Sequence, residues 1–220
     1  MRGMGALAVL GAFAGVAAVA VAAPAPSKEP RKVIKPAVQA RAKRIALQIR
    51  DLPGSGWKST PSRPNQTSPH CSYYNPDQSK LTENGDYTSP DFTKPNGTYV
   101  SSSVGIFVSA AQAKTAYAAV VRPELPRCLG EVVAKSQKPG QVKVSSAAAL
   151  AFPAYGDKSA AYRVVFFVRS GKNLVPATVD LVAINKGAVD AAVFFGSVGA
   201  VLPALFERQI VARVAARITS

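Results

Sequence analysis

The two cysteines are the residues best able to do chemistry in this sequence. Cys71 lies in PHCSYYNPD and Cys128 in LPRCLGEVV. A zinc site needs three or four ligands, and the one histidine of the chain, His70, leaves such a site without a recognisable spacing. His70 directly precedes Cys71, and neighbours on a strand point to opposite faces, so the two are badly placed to share a proton. We therefore predict no metal site and no catalytic residue at the cysteines.

Other catalytic arrangements have only weak support. The sequence has no G-x-S-x-G elbow, no phosphate-binding glycine loop and no dinucleotide fingerprint, so we predict no cofactor. Serines and lysines are plentiful, and a Ser–Lys hydrolase site therefore stays open. A carboxylate hydrolase or a cation site could use acidic residues of one turn-rich segment, although such residues usually bind local backbone amides. These residues are Asp77, Glu83, Asp86 and Asp91. The sequence favours a protein that is not an enzyme.

The N-terminal residues 1–22 have the pattern of a secretory signal peptide. Arg2 is followed by the apolar run Gly5–Ala22, and Ala20 and Ala22 fit an A-x-A cleavage site. The run is close to the roughly 20 residues that span a bilayer, so a retained anchor is the alternative. We predict a secreted or otherwise extracytoplasmic protein of the cell envelope.

Export also bears on the cysteines. Thiols of exported domains are usually oxidised, because the compartment is oxidising. This favours a disulfide between Cys71 and Cys128 over two free thiols. The bridge would join the turn-rich first third of the domain to the helix that carries Cys128, for which Leu129, Val132 and Val133 are expected to face the core.

The chain is strongly basic, with 27 lysines and arginines against 12 aspartates and glutamates. Much of this charge lies between residues 28 and 50, and Arg41, Lys43, Arg44 and Arg50 are our candidates for binding an anionic lipid or wall polymer. No nucleic-acid recognition motif accompanies the charge, so we predict no nucleic-acid partner. The alternative is a solvated basic surface that keeps the protein soluble.

The spacing of apolar residues predicts where the helices lie. Residues 23–35 are rich in proline and charge and lack a hydrophobic period, which predicts a disordered basic linker. The remaining residues, 36–220, have the length of a single domain. Helical periods begin at Pro36, after a capping box at Ser109, and at about Pro203.

Strands dominate the second half of the sequence. Alternating apolar residues mark one strand at Tyr99–Val108. Three further strands, at 160–169, 174–184 and 188–196, are joined by hairpin-length turns, which favours antiparallel pairing. We predict an α+β fold, in which an antiparallel meander is packed by N-terminal, middle and C-terminal helices, and a monomer.

The first third of the domain combines turns with aromatic residues. Asn84–Gly85 and Asn96–Gly97 are predicted as tight turns. Aromatic residues in such loops either extend the core or form the walls of a ligand cleft. The candidates for ligand binding are Trp57, Tyr73, Tyr87, Phe92 and Tyr99.

Several stretches resemble exported proteins of actinobacteria. They are LQIRDLPGSGW, PDQSKLTENGDYTSPDF, YVSSSVGIFVSAAQA, the R-C-L at Cys128, and TVDLVAINKGAVDAAVFFGS followed by ERQIVARVAARI. The pattern is similar to the extracellular sensor-like domain of mycobacterial membrane serine/threonine kinases and related exported lipoproteins, over most of residues 37–219. The resemblance implies an α+β domain with a solvent-exposed cleft that binds a ligand and does not catalyse a reaction. The kinase domains carry a second disulfide, which two cysteines cannot supply here.

Together these observations predict a secreted, non-catalytic binding module of the bacterial cell envelope with a hydrophobic or amphipathic ligand. Two alternatives remain open. One is an envelope hydrolase with a Ser–Lys or carboxylate site, and the other is a basic adhesin that binds anionic envelope polymers.

Overall fold

Within the residues that the structure describes, which are 29–62, 69, 71–136 and 138–218, nine strands form one sheet. The structure is a computed structural model; the predicted signal peptide, the start of the linker and His70 lie outside the described residues. The strands are β1 (Arg31–Lys32), β2 (Lys58–Thr60), β3 (Thr82–Thr88), β4 (Asp91–Thr93), β5 (Tyr99–Phe107), β6 (Val142–Ala149), β7 (Lys158–Ser170), β8 (Asn173–Lys186) and β9 (Val189–Val198). The helices are α1 (Pro36–Ile45), α2 (Ala110–Val120), α3 (Leu125–Lys135) and α4 (Ala204–Ile218).

The sheet is mixed. Its strand order is β1-β3-β5-β9-β8-β7-β6, with β4 beside β5 and β2 beside β4. The predicted meander is present, because β6 to β9 pair antiparallel in chain order. The pair β1 and β3 is parallel, so the prediction of a purely antiparallel sheet is wrong. A parallel pair requires a crossover connection, and α1 lies in the connection from β1 to β3.

The residues just before α1 run along the edge of the sheet. The backbone amides of Arg31, Val33 and Lys35 donate to carbonyls in the stretch 81–84 at 2.9, 2.8 and 2.8 Å. Lys32 also forms an ion pair with Asp86. The last part of the predicted linker thus follows β3 in hydrogen-bonded contact.

Asn84–Gly85 lies inside β3, so the predicted tight turn at this position is wrong. A Cβ atom on Gly85 would lie 2.8 Å from the carbonyl oxygen of Val38 in α1. The glycine therefore serves a close approach between helix and strand, the second common role of glycine in a strand. Gly97 adopts a left-handed φ of 83° after Asn96, as the other predicted turn requires.

Helices cover both faces of the sheet. Phe195 of β9 shares a cluster with Ile45 of α1 and Ile210 of α4. Its neighbour Phe194 packs with the cluster that holds Leu125 of α3. Because neighbouring residues of a strand point to opposite faces, α1 and α4 cover one face and α3 covers the other, with the end of α2 beside it.

The predicted disulfide joins Cys71 to Cys128, with a Cα–Cα distance of 5.8 Å. Cys128 lies in α3. Leu129 and Val133 of the same helix pack against the sheet, as predicted. Val132 is 40% exposed, so its predicted place in the core is wrong. The sheet meets α3 along Leu129, Gly130 and Val133. Val132 instead continues the side of Leu125 and Cys128, which packs with the segment of Cys71 in a cluster that does not include Val132.

A buried ion network connects α4 to the sheet. Arg163 of β7 donates to both carboxylate oxygens of Asp180 on β8, at 2.7 and 2.6 Å. Its Nη2 is also 3.4 Å from Oε1 of Glu207 in α4.

The described part of the chain has no helix long and apolar enough to cross a membrane.

Candidate functional site

A groove lies between the end of α1, the segment after it and the β3–β4 connection. It has a volume of about 550 Å³, within the range of small-molecule sites. The lining residues are Ala40, Lys43, Arg44, Leu47, Gln48, Ile49, Ser59, Tyr87, Pro90 and Phe92. Two candidates from the sequence, Tyr87 and Phe92, are therefore brought together with two of the candidate basic residues.

The floor of the groove is apolar and fixed. Phe92 is 2% exposed and Leu47 is 1% exposed, because both side chains also belong to the main core. Ile49 is 50% exposed and forms an apolar rim. Lys43 Nζ lies 5.9 Å from the ring centroid of Tyr87, at the limit of a cation–π contact. The groove can therefore hold an apolar group against a rigid floor.

One wall is the chain that leaves α1. The backbone amide of Leu47 donates to the buried Ser102 Oγ at 2.8 Å. The amide of Gln48 donates to Asp51 Oδ2 at 2.8 Å, which closes a single helical turn at Ile49–Asp51. These bonds fix the direction of the wall relative to β5.

Arg217 of α4 supports the same wall from behind. Its guanidinium donates to both carboxylate oxygens of Asp51 at 2.9 Å. It also donates to the carbonyl oxygens of Ile45 and Ala46, each at 3.1 Å. Those carbonyls end α1 and lack partners within their own helix, so one side chain satisfies the helix end and pairs with a buried carboxylate.

A second, smaller pocket adjoins the groove and is lined mainly by arginines. Its volume is about 270 Å³. The lining residues are Arg41, Arg44, Ile45, Gln48, Arg50 and Arg217. Arg41 donates to the carbonyl oxygen of Ile218 at 3.2 Å. We call this site the arginine pocket.

The structure thus brings together three of the four basic candidates, Arg41, Arg44 and Arg50, and places the fourth, Lys43, in the groove. Sequence reasoning missed Arg217, which the periodicity of the last helix only showed to lie off the apolar stripe. It also missed Leu47, Ile49 and Pro90. A role of the basic candidates in binding anions stays a prediction.

Three aromatic candidates lie outside the groove. Trp57 stacks on Phe206 of α4 with ring centroids 6.2 Å apart. The hydroxyl of Tyr73 donates to Glu131 at 2.7 Å beside the disulfide. The hydroxyl of Tyr99 is bonded to Asp91 and Ser101. The structure therefore gives each of these rings a contact within the fold, and their ligand role stays a prediction.

The acidic candidates do not meet in one site. Asp77 accepts from the amide of Ser79 at 3.0 Å, a local turn contact. Asp86 pairs with Lys32, and Asp91 accepts from Tyr99. Among the described residues, no group of three or more histidine, cysteine, aspartate or glutamate side chains could hold a metal ion.

Glu83 is the acidic candidate that has a strongly raised pKa. Burial raises its pKa to about 8, and the nearby Asp86 carboxylate raises it further while Lys32 opposes the shift. The side chain lies 2.5 Å from where a Cβ of Gly105 would be. Glu83 is therefore a buried side chain packed against β5, in surroundings that favour the protonated form of its carboxyl group.

Comparison with known proteins returns similar structures. No protein-family model and no curated protein matches the chain. The fold is similar to the extracellular domain of PknH from Mycobacterium tuberculosis, with a TM-score of 0.48 and 8% identity, over 82% of this chain and 96% of that one. It is also similar to LpqN, involved in cell envelope biogenesis of Mycobacterium tuberculosis, with a TM-score of 0.32 and 10% identity, over 75% of this chain and 79% of that one. The resemblance to exported mycobacterial domains, drawn from the sequence, is found again in these two structures.

Proposed function

We propose that this chain is a non-catalytic binding module of the bacterial cell envelope, and that the groove holds the apolar part of a hydrophobic or amphipathic ligand. The observation that carries the proposal is the apolar lining of the groove that stays open to solvent, namely the exposed Ile49 and the half-buried Tyr87 and Pro90. Leu47 and Phe92 form the buried floor beneath them. Solvent-accessible apolar surface in a concave site gains free energy when a ligand removes it from water.

The placement at the envelope rests on two features of the chain. The predicted signal peptide at residues 1–22 directs export. The Cys71–Cys128 disulfide is the oxidised form that persists outside the cytoplasm. A non-catalytic role is supported by the local partners of Asp77, Asp86 and Asp91, which bind Ser79, Lys32 and Tyr99 respectively.

The test uses the neutral apolar dye Nile red, whose emission reports transfer into an apolar site. Ala40 is exposed on α1 and lines the groove, so Ala40→Trp should fill it and weaken dye binding by about 10-fold, or about 1.4 kcal/mol. Ala37→Trp is the matched control, because Ala37 is also exposed on α1 but lies outside the lining. Equal dye binding by both variants, or no binding by the unmodified protein, would contradict the proposal.

A second candidate function is a basic adhesin for anionic envelope polymers. It is supported by the formal net charge of +15 and by the arginine pocket. Binding of this kind would be lost at high salt, since screening weakens contacts between exposed charges. It would also be unaffected by Ala40→Trp, which separates it from ligand binding in the groove.

A further inference from the structure

We infer that the arginine pocket is the headgroup subsite of the groove, and that the ligand is a monomeric amphiphile with an apolar chain and a phosphate-type anionic headgroup. The inference rests on the proposed function, because the chain of the amphiphile would occupy the groove described above.

The two sites are adjacent faces of one helix end. Arg44 and Gln48 line both the groove and the arginine pocket. Ala40 and Leu47 line the groove, whereas the residues that directly follow them, Arg41 and Gln48, line the arginine pocket. Because the two linings share Arg44 and Gln48, one ligand can extend from the groove into the pocket past these side chains.

The arginine pocket has an excess of positive charge. The charge of Arg217 is offset by its ion pair with Asp51. Arg44 and Arg50 make no side-chain hydrogen bond or ion pair with another described residue, and Arg41 uses one N–H on the Ile218 carbonyl. Among the described lining residues, three guanidinium groups thus face the pocket and no carboxylate lines it.

The end of α1 does not cancel this charge. The carbonyl end of a helix carries a partial negative charge that would repel an anion. Here Arg217 donates to the carbonyl oxygens of Ile45 and Ala46, so these groups are satisfied before a ligand arrives. The local field of the pocket is therefore set by the three arginines.

Guanidinium groups favour an anion with several acceptor oxygens. A phosphate monoester offers three such oxygens, and arginine binds phosphate through two parallel N–H donors. An apolar chain attached to it would find the buried floor of Leu47 and Phe92 on the other side of Arg44. The juxtaposition of a cationic pocket with an apolar groove matches one molecule with both properties.

The shape favours a single amphiphile over a membrane surface. Proteins that lie on a bilayer insert a protruding apolar face. In this site, Leu47 and Phe92 form the floor of a concavity. Among the described lining residues, Ile49 is the one large apolar side chain that is exposed. A bilayer surface would contact mainly Ile49, whereas a single extended chain would also contact the half-buried Tyr87 and Pro90.

The experiment measures, by titration calorimetry, the direct binding of three probes below their micelle concentrations: dodecyl phosphate, dodecyltrimethylammonium and inorganic phosphate. Dodecyl phosphate should bind at least about 10-fold more tightly than either of the others, because it alone uses both subsites. Vesicles of phosphatidylglycerol serve as the membrane arm, and vesicles of phosphatidylcholine as their neutral reference.

The variant is Arg41→Gln with Arg50→Gln, which removes two guanidinium groups that line the arginine pocket but not the groove. Its dissociation constant for dodecyl phosphate should rise about 10-fold or more, while Nile red binding is unchanged. The matched control is Arg169→Gln with Arg208→Gln, two exposed arginines outside both linings. Equal melting temperatures of the two variants would exclude a loss of folding.

The outcomes separate the two proposals. Absence of Nile red binding overturns the groove and the headgroup subsite together. Binding of the dye with equal affinity for dodecyl phosphate and dodecyltrimethylammonium overturns the headgroup subsite alone. Inorganic phosphate that binds as tightly as dodecyl phosphate, or binding to phosphatidylglycerol vesicles without binding to the monomer, also overturns it.

Discussion

Arg217 joins the last helix, the end of the first helix and a buried carboxylate through one side chain. Its partner Asp51 is 7% exposed, and the pair has bidentate geometry. Removal of one member of a buried pair is costly, because the other charge stays in a poorly solvated place without compensation. At the scale of single residues, this pair is the contact on which the groove wall most depends.

Replacement of Arg217 by alanine should therefore destabilise the protein by about 3 kcal/mol. The midpoint of urea unfolding gives the measurement, provided that its slope is unchanged. Arg208→Ala is the control on the same helix, because the Arg208 side chain is exposed. Identical midpoints for the two variants would contradict this role of the Arg217–Asp51 pair.

At the scale of elements, the disulfide connects α3 to the segment before β3. It closes a loop with a sequence separation of 57. Closing a loop of this length lowers the entropy of the unfolded chain, which raises the free energy of unfolding by roughly 4 kcal/mol at room temperature. The helix itself is seated closely on the sheet, since a Cβ on Gly130 would lie 3.3 Å from the Cβ of Ala147 in β6.

The double variant Cys71→Ala with Cys128→Ala should still fold, because a domain of this size buries a core of its own. Its free energy of unfolding should be lower by roughly 4 kcal/mol, and the unmodified protein in dithiothreitol should match it. Urea unfolding checks both. Titration of two free thiols in the native, unreduced protein would refute the bridge and with it this expectation.

The elements that the sequence predicted are those whose partners are close in the chain. The strands β7, β8 and β9 pair through hairpins, so their period and their turns suffice to place them. The predicted cap of α2 is also present, since Ser109 Oγ accepts from the amide of Gln112 at 3.2 Å. The Gln112 side chain instead accepts from the amide of Thr82, a residue distant in sequence.

The features that the sequence did not predict depend on distant contacts. Gly85 is predicted to lie in a turn, because the sequence does not show that the carbonyl oxygen of Val38 lies beside it. The parallel edge strand β1 has two residues and no period of its own. Arg217 and Asp51 are 166 positions apart, and nothing in the local pattern of either residue indicates the other. The candidate site could be predicted in part, through Tyr87, Phe92 and the basic residues of α1.

At the scale of the whole molecule, the buried Glu83 and Glu207 and the half-buried Asp190 share one electrostatic property. Burial raises the pKa of Glu83 to about 8, that of Asp190 to about 7 and that of Glu207 to about 8. The Asp180 carboxylate raises the Glu207 value further, and a hydrogen bond from Asn185 opposes the shift at Asp190. All three groups therefore keep a proton in the folded protein at pH values where the unfolded chain has lost it.

The free energy of unfolding should consequently fall as pH rises from about 5 to about 8. In this window the folded state binds more protons than the unfolded state, and the sign of the linkage relation is then negative. Urea midpoints measured across the window test the direction. Glu83→Gln should make the dependence shallower, because the amide stays neutral throughout. A midpoint that is flat or that increases towards pH 8 would show that these carboxyl groups are ionised in the folded state.

Because Arg217 supports the groove wall, the last helix must dock before that wall is fixed. Asp51 leaves the ribosome early, whereas the guanidinium that fixes it follows 166 residues later. Chains are made from the N-terminus, and their early segments can collapse before the rest exists. A nascent chain that ends before α4 would have the floor strands of the groove but an unsupported wall. The groove wall is thus fixed late, when the last helix docks.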